Sequence, residues 1–234
     1  MEIKLFSTYQ GKFNIPAKDS TNGCTVISPL IAIEYLTNTS VGMANNAIEK
    51  VIDEKCPPIL KAVRSKLGLP GNALIIPSDV HDYLVDIKLL RQDMFVGVCG
   101  GNILDPMHLM EFLNMMKYGT ADKITDETQP TSKKMAAALF FHEHVVSIIK
   151  IYAPNGEIWF DLIDSMPKVN VNGEKGGSRT RSKSIQALES TLQTYACSKF
   201  TEANCSYINK NMWDDVLCDF DPRVFQAFVW TTPT

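Results

Sequence analysis

The sequence Ala136-Ala137-Ala138-Leu139-Phe140-Phe141-His142-Glu143-His144-Val145-Val146-Ser147-Ile148-Ile149-Lys150-Ile151 holds two continuous apolar runs, Ala136 to Phe141 and Val145 to Ile151. Runs of that length are expected of strands covered on both faces. Ala153-Pro154-Asn155-Gly156 then signals a turn, and Ile158 to Ile163 reads as the returning strand. Val224 to Thr231 reads as a last strand. Between them, residues 168–184 are rich in Gly, Asn, Ser and basic side chains and read as a loop, and Ser184 to Ala196 as a helix.

Upstream the pattern changes. Residues 24–37 are apolar almost all round, the mark of a helix buried on every side. Residues 43–55 are amphipathic and helical, with Cys56-Pro57-Pro58 as the expected stop. Ile59 to Leu67 is a further helix with Gly68 as its C-terminal cap, and Asp79 to Leu89 another. Met94 to Cys99 reads as a strand ended by Gly100-Gly101, and Pro106 to Lys117 as a Met-rich helix. Residues 1–23 read as a short strand and loop. Helices dominate the first half and an antiparallel sheet the second. The expectation is one α+β domain over residues 1–234, with a helical lobe over about 20–120 and a sheet lobe over about 130–234.

The composition narrows the class. A chain of 234 residues with 45% hydrophobic content has ample material for a core. A net charge of −3 gives no electrostatic case for nucleic acid as a partner. No apolar run reaches the roughly 20 residues of a membrane-spanning helix. Met1 to Phe6 lacks the apolar stretch of a signal peptide, so the cytoplasm or nucleus is expected. Six cysteines (Cys24, Cys56, Cys99, Cys197, Cys205 and Cys218) are then expected as free thiols. No Cys-x-x-Cys pair occurs, and His142-x-His144 has no zinc-ligand spacing beside it, so no metal is expected.

Two distant segments carry chemistry. Asn22-Gly23-Cys24 leads into the buried helix. A cysteine at a helix start feels the positive end of the dipole, which favours the nucleophilic thiolate. Free cysteine is also commonly a small buried hydrophobe. More than a hundred positions on, His144 opens an apolar strand and needs a polar residue to orient its ring. Asp161 and Asp164 follow. If the turn centres on 153–156, paired residue numbers add to about 309–311, which makes Asp164 a near diagonal neighbour of His144. Asp161 would lie about 14–20 Å further along the strand. Asp164 is therefore preferred, with Asp161 the alternative if a bulge shifts the register. His142 would share a strand face with His144, and Cys99 ranks second as nucleophile.

Cys24 before a buried helix, His144-Val145-Val146-Ser147-Ile148, and Trp159-Phe160-Asp161-Leu162-Ile163-Asp164-Ser165 together resemble papain-like cysteine peptidases. Phe141-His142-Glu143-His144 with Trp159-Phe160 is similar to the Josephin pattern. The Asp164-Ser165 ending is similar to ubiquitin-specific and ubiquitin-like-protein proteases, and Asn22-Gly23-Cys24 with Leu30 to Ile33 to the MINDY family.

The resemblance implies a papain-like fold and a thiol-dependent deubiquitinase. Cys24 would attack an acyl carbon, His144 would transfer the proton, and Asp164 would hold the imidazole. It implies ubiquitin or a ubiquitin-like protein as partner, and no cofactor. The backbone of Cys24 would form part of the oxyanion hole. The family's upstream amide falls on Asp19 and Lys18 here, which leaves Asn22 as the nearest amide and Gln10 as the nearest glutamine. Pro29 leaves two helix starts open, at Cys24 with a proline inside or at an N-capping Ser28. Two further functions therefore stand beside the first: a catalytically impaired module that binds ubiquitin or another protein, and a different thiol acyl-transfer enzyme of transglutaminase type.

Overall fold

The computed structural model describes residues 2–153, 155–216 and 220–233. The turn residue Pro154 and the cysteine Cys218 lie outside them. A seven-stranded sheet organises the chain, ordered β1-β6-β5-β4-β3-β7-β2, and every neighbouring pair is antiparallel. The strands are β1 (Glu2–Leu5), β2 (Phe95–Asn102), β3 (Met135–Phe141), β4 (His144–Tyr152), β5 (Ile158–Val169), β6 (Lys175–Ser182) and β7 (Val224–Thr231). The α-helices are α1 (Cys24–Thr37), α2 (Asn45–Lys50), α3 (Cys56–Lys66), α4 (Pro77–Asp86), α5 (Pro106–Tyr118), α6 (Ile185–Cys197) and α7 (Glu202–Lys210). The fold is α+β, as the sequence pattern predicts.

The central strands are covered on both faces, which is why they read as unbroken apolar runs. Ala136, Ala138, Val145, Ile149 and Ile163 pack with Val26, Ile27, Leu30 and Ile31 of α1 on one side. Ala137, Leu139, Val146, Ile148 and Leu162 pack with Phe112 and Met116 of α5 and Leu188 and Leu192 of α6 on the other. Paired residue numbers of β4 and β5 add to 310 throughout, inside the expected window. The division into lobes is less clean than the sequence suggests. β1 and β2 come from the first half and form the two edges of the sheet, while α6 and α7 come from the second.

Several boundaries differ. The helix expected to stop at Cys56-Pro57-Pro58 instead runs through a π-helical turn at Val51–Lys55 into α3. The prolines sit just after that turn, in the first turn of α3, where each lacks the N–H that a continuous helix would use. β2 continues through Gly100-Gly101 to Asn102 because β7 pairs with it along that length. Most of the loop expected over 168–184 is strand. β5 extends to Val169, and Lys175–Ser182 forms β6 between β5 and β1. Ser178, Arg179, Thr180 and Ser182 are buried in it, and Arg179 and Arg181 both donate to Asp161 of β5.

α1 begins at Cys24, with Pro29 inside it and no cap at Ser28. The proline removes the N–H that would bond the Thr25 carbonyl. Contacts to β4 offset that loss. The Ser28 hydroxyl donates to the Val145 carbonyl at 3.0 Å, the Ser147 hydroxyl donates to the Ser28 carbonyl at 3.2 Å, and the Tyr35 hydroxyl donates to the Lys150 carbonyl.

Candidate functional site

The β3–β4 hairpin closes on two residues, His142 (φ 53°) and Glu143 (φ 64°), with Phe141 and His144 as the last pair. Both lie in the left-handed region, as a two-residue turn of matching twist requires, although neither is glycine. His142 is therefore a turn residue, not a strand neighbour of His144. Its Nε2 lies 2.8 Å from Oδ1 of Asn204 on α7. The turn carries the Glu143 carbonyl to 4.0 Å from the Cys24 Sγ. Helix α1 and strand β4 thus meet at the cysteine, one residue from His144.

Cys24 is only 2% exposed. Burial pushes its thiol up, while bonds to the Val145 backbone and to Thr25 pull the other way and the Asp164 charge adds to the rise. The dipole at the start of α1 therefore does not prevail, and the resting group is a thiol rather than the expected thiolate. Gly23 caps α1 without a side chain, which leaves the first N–H groups of the helix without intrahelical acceptors.

His144 is half-buried. Burial and then the Lys199 charge depress its pKa, and Asp164 opposes them. A neutral imidazole can accept a proton. By strand alternation His144 and Asp164 share the sheet face covered by α6. Asp164 is wholly buried. Its Oδ1 accepts the Met166 N–H at 2.9 Å, and its Oδ2 has ion pairs to Lys168 (3.7 Å) and Lys199 (3.9 Å) but no hydrogen bond. Among the described residues no hydrogen bond joins Cys24 to His144 or His144 to Asp164. The Asp164 charge nevertheless acts on both.

Asp161 is placed elsewhere. It pairs with Ile149, on the opposite sheet face from His144 and about 17 Å along β4. Its oxygens accept from Arg181 at 2.7 and 2.8 Å and from Arg179 at 3.3 Å. It is a structural ion pair, and the role of alternative third member falls away. Asn22 (φ 53°) turns its amide to the Asn72 carbonyl at 2.9 Å, which takes it away from an oxyanion role at Cys24. Cys99 lies mid-strand on β2, not at a helix start as Cys24 does, and burial pushes its thiol up to about 12.

Gln10 is better placed than its sequence separation from Cys24 suggested. Its backbone N–H donates to the Ser165 carbonyl at 2.9 Å, and the Ser165 hydroxyl donates to its Oε1 at 3.0 Å. Gly11 donates to the Ser20 hydroxyl at 3.2 Å, and Gly23 donates to the Ser20 carbonyl at 2.9 Å. The loop before α1 is thereby tied both to the end of β5 and to the residue before the cysteine. Among the described residues the Gln10 Nε2 has only the Met166 thioether as acceptor, at 2.9 Å, a weak partner that leaves the donor available. Lys168, Tyr195 and Lys199 around Asp164 carry no local motif, and sequence reasoning missed them.

No protein-family model matches the sequence, and no curated protein matches it. The chain is similar in structure to the ubiquitin-specific protease encoded by murine cytomegalovirus tegument protein M48, solved in complex with a ubiquitin-based suicide substrate. The TM-score is 0.56 at 11% identity, over 100% of this chain and 88% of that one. That likeness places the α+β architecture with the papain-like protease fold.

Proposed function

We propose that this chain is a cysteine hydrolase that cleaves amide or isopeptide bonds at the C-terminus of ubiquitin or a ubiquitin-like protein. The observation that carries the reading is the meeting of Cys24, at the N-terminal end of α1, with the hairpin that delivers His144. The shared fold with a ubiquitin-specific protease supports the substrate class. In this reading the Cys24 Sγ attacks the scissile carbonyl carbon as His144 takes the thiol proton. The oxyanion lies against the Cys24 N–H and the Gln10 amide. Protonated His144 gives its proton to the leaving amine. Water then attacks the thioester, its proton passes through His144, and the carboxylate product leaves with the free thiol restored. Asp164 holds the imidazole in the useful tautomer. The neutral thiol and imidazole fit a proton transfer that accompanies attack.

The test is reaction with ubiquitin carrying a C-terminal thiol-reactive warhead. A covalent adduct on Cys24 is expected, absent in Cys24→Ala and His144→Ala. Tight binding without an adduct would overturn the hydrolase and favour an impaired binding module, a reading that the deep burial of Cys24 also suits.

A further inference from the structure

The neighbourhood of Asp164 has more cations than its single carboxylate can match. Lys168, one turn of strand beyond it, and Lys199, just after α6, both pair with Oδ2. Both ammonium groups also lie over the Tyr195 ring, at 5.8 and 5.0 Å. The Tyr195 hydroxyl is buried without a partner. Lys199 is the more enclosed of the two lysines, with its side chain 18% exposed against 36% for Lys168. Its position is fixed by the turn that ends α6, where its N–H donates to the Ala196 carbonyl at 2.9 Å and the Ser198 hydroxyl donates to the Tyr195 carbonyl at 2.6 Å. The charged and titratable groups that act on His144 come from three directions, Asp164 on β5, Lys199 after α6, and His142 and Glu143 in its own turn; Cys24 of α1 lies beyond the Glu143 carbonyl.

We infer that Lys199 is a positioning residue of this site: packed over the Tyr195 ring, it holds the Asp164 carboxylate through Oδ2 on the sheet face that Asp164 shares with His144, so that its charge bears on the imidazole. The inference rests on the hydrolase reading for its consequence but not for its geometry. An ionised Asp164 alone beside His144 would draw a proton onto the ring and leave no base for the Cys24 thiol. The Lys199 ammonium opposes that, in line with the depressed proton affinity of His144. The orphaned Asp164 Oδ2 fits the same picture, since it faces two cations at ion-pair distance without being taken up in a hydrogen bond.

The test is an NMR titration of the imidazole C–H signals in wild type, Lys199→Met and Lys199→Arg. In Lys199→Met the His144 midpoint is expected to rise by roughly one pH unit, and in Lys199→Arg to stay near wild type. His81, held between Phe95, Phe228 and Trp230, serves as an internal reference. The acid limb of Cys24 alkylation by iodoacetamide should move with the His144 midpoint. A His144 midpoint unchanged in Lys199→Met overturns the inference, even if the variant is less stable. Should that variant not fold, Lys199→Gln, neutral and polar, gives the same comparison. Failure of the ubiquitin warhead to label wild type would overturn the hydrolase reading while leaving the His144 shift to be read on its own.

Discussion

Two carboxylates three residues apart on β5, both without exposed surface, have opposite fates. Asp161 faces the α1 side and has its oxygens filled by Arg179 and Arg181 at hydrogen-bonding distance. Asp164 faces the α6 side, keeps one oxygen without a hydrogen bond, and holds its two lysines at ion-pair distance only. A buried charge that is fully satisfied is a structural element. One left partly unsatisfied retains capacity for chemistry. In the proposed hydrolase, one strand would thus serve the fold on one face and the reaction on the other.

The comparison breaks most readily at Asp161. Asp161→Ala takes from Arg179 and Arg181 the buried carboxylate they share, and the unfolding free energy should fall by about 3–5 kcal/mol in urea titration. A loss below about 1 kcal/mol would show that the cross-strand pairing contributes little. Asp164→Asn tests the other half. Stability should stay within about 1 kcal/mol of wild type, while adduct formation with the ubiquitin warhead slows about 100-fold, a barrier increase near 2.7 kcal/mol. If labelling is unchanged and the melting temperature collapses, the two carboxylates have exchanged roles.

The smallest effect is the dependence of stability on pH. His144 and His81 have pKa values depressed below 6.5 in the folded chain, by burial first in each case. The unfolded chain therefore binds protons before the folded one, and stability is lost as pH falls below about 6.5. Cys24 is raised above 9.0 by burial, so the unfolded chain releases its proton first and stability falls as pH rises past about 9. Thermal melts across this range should give a plateau between the two limits. A rise in stability on acidification from pH 6.5 would contradict the burial of these histidines.

The sequence reading succeeded where the signal was local. The turn signal of Ala153 to Gly156 predicts the β4–β5 register, and that register alone separates Asp164 from Asp161. The solid apolar cover of 24–37 identified α1 even with Pro29 inside it. It failed where burial depends on a distant partner. Lys175 to Ser182 looks like a solvated loop until Asp161 is seen to accept from Arg179 and Arg181. Gln10 looks remote until Ser165 and Ser20 tie its loop between β5 and α1. The thiolate expectation failed for another reason. Helix-end polarity can be read from position in the chain, but desolvation is a property of the packed state.

The two-residue turn at His142 and Glu143 has a consequence of its own. What it presents to the sulfur is a main-chain oxygen, so the polarity felt by Cys24 is written in peptide orientation rather than in the identity of residue 143. Many side chains can occupy that corner without altering the electrostatic setting of the cysteine. A change in which way the amide plane points would alter it at once.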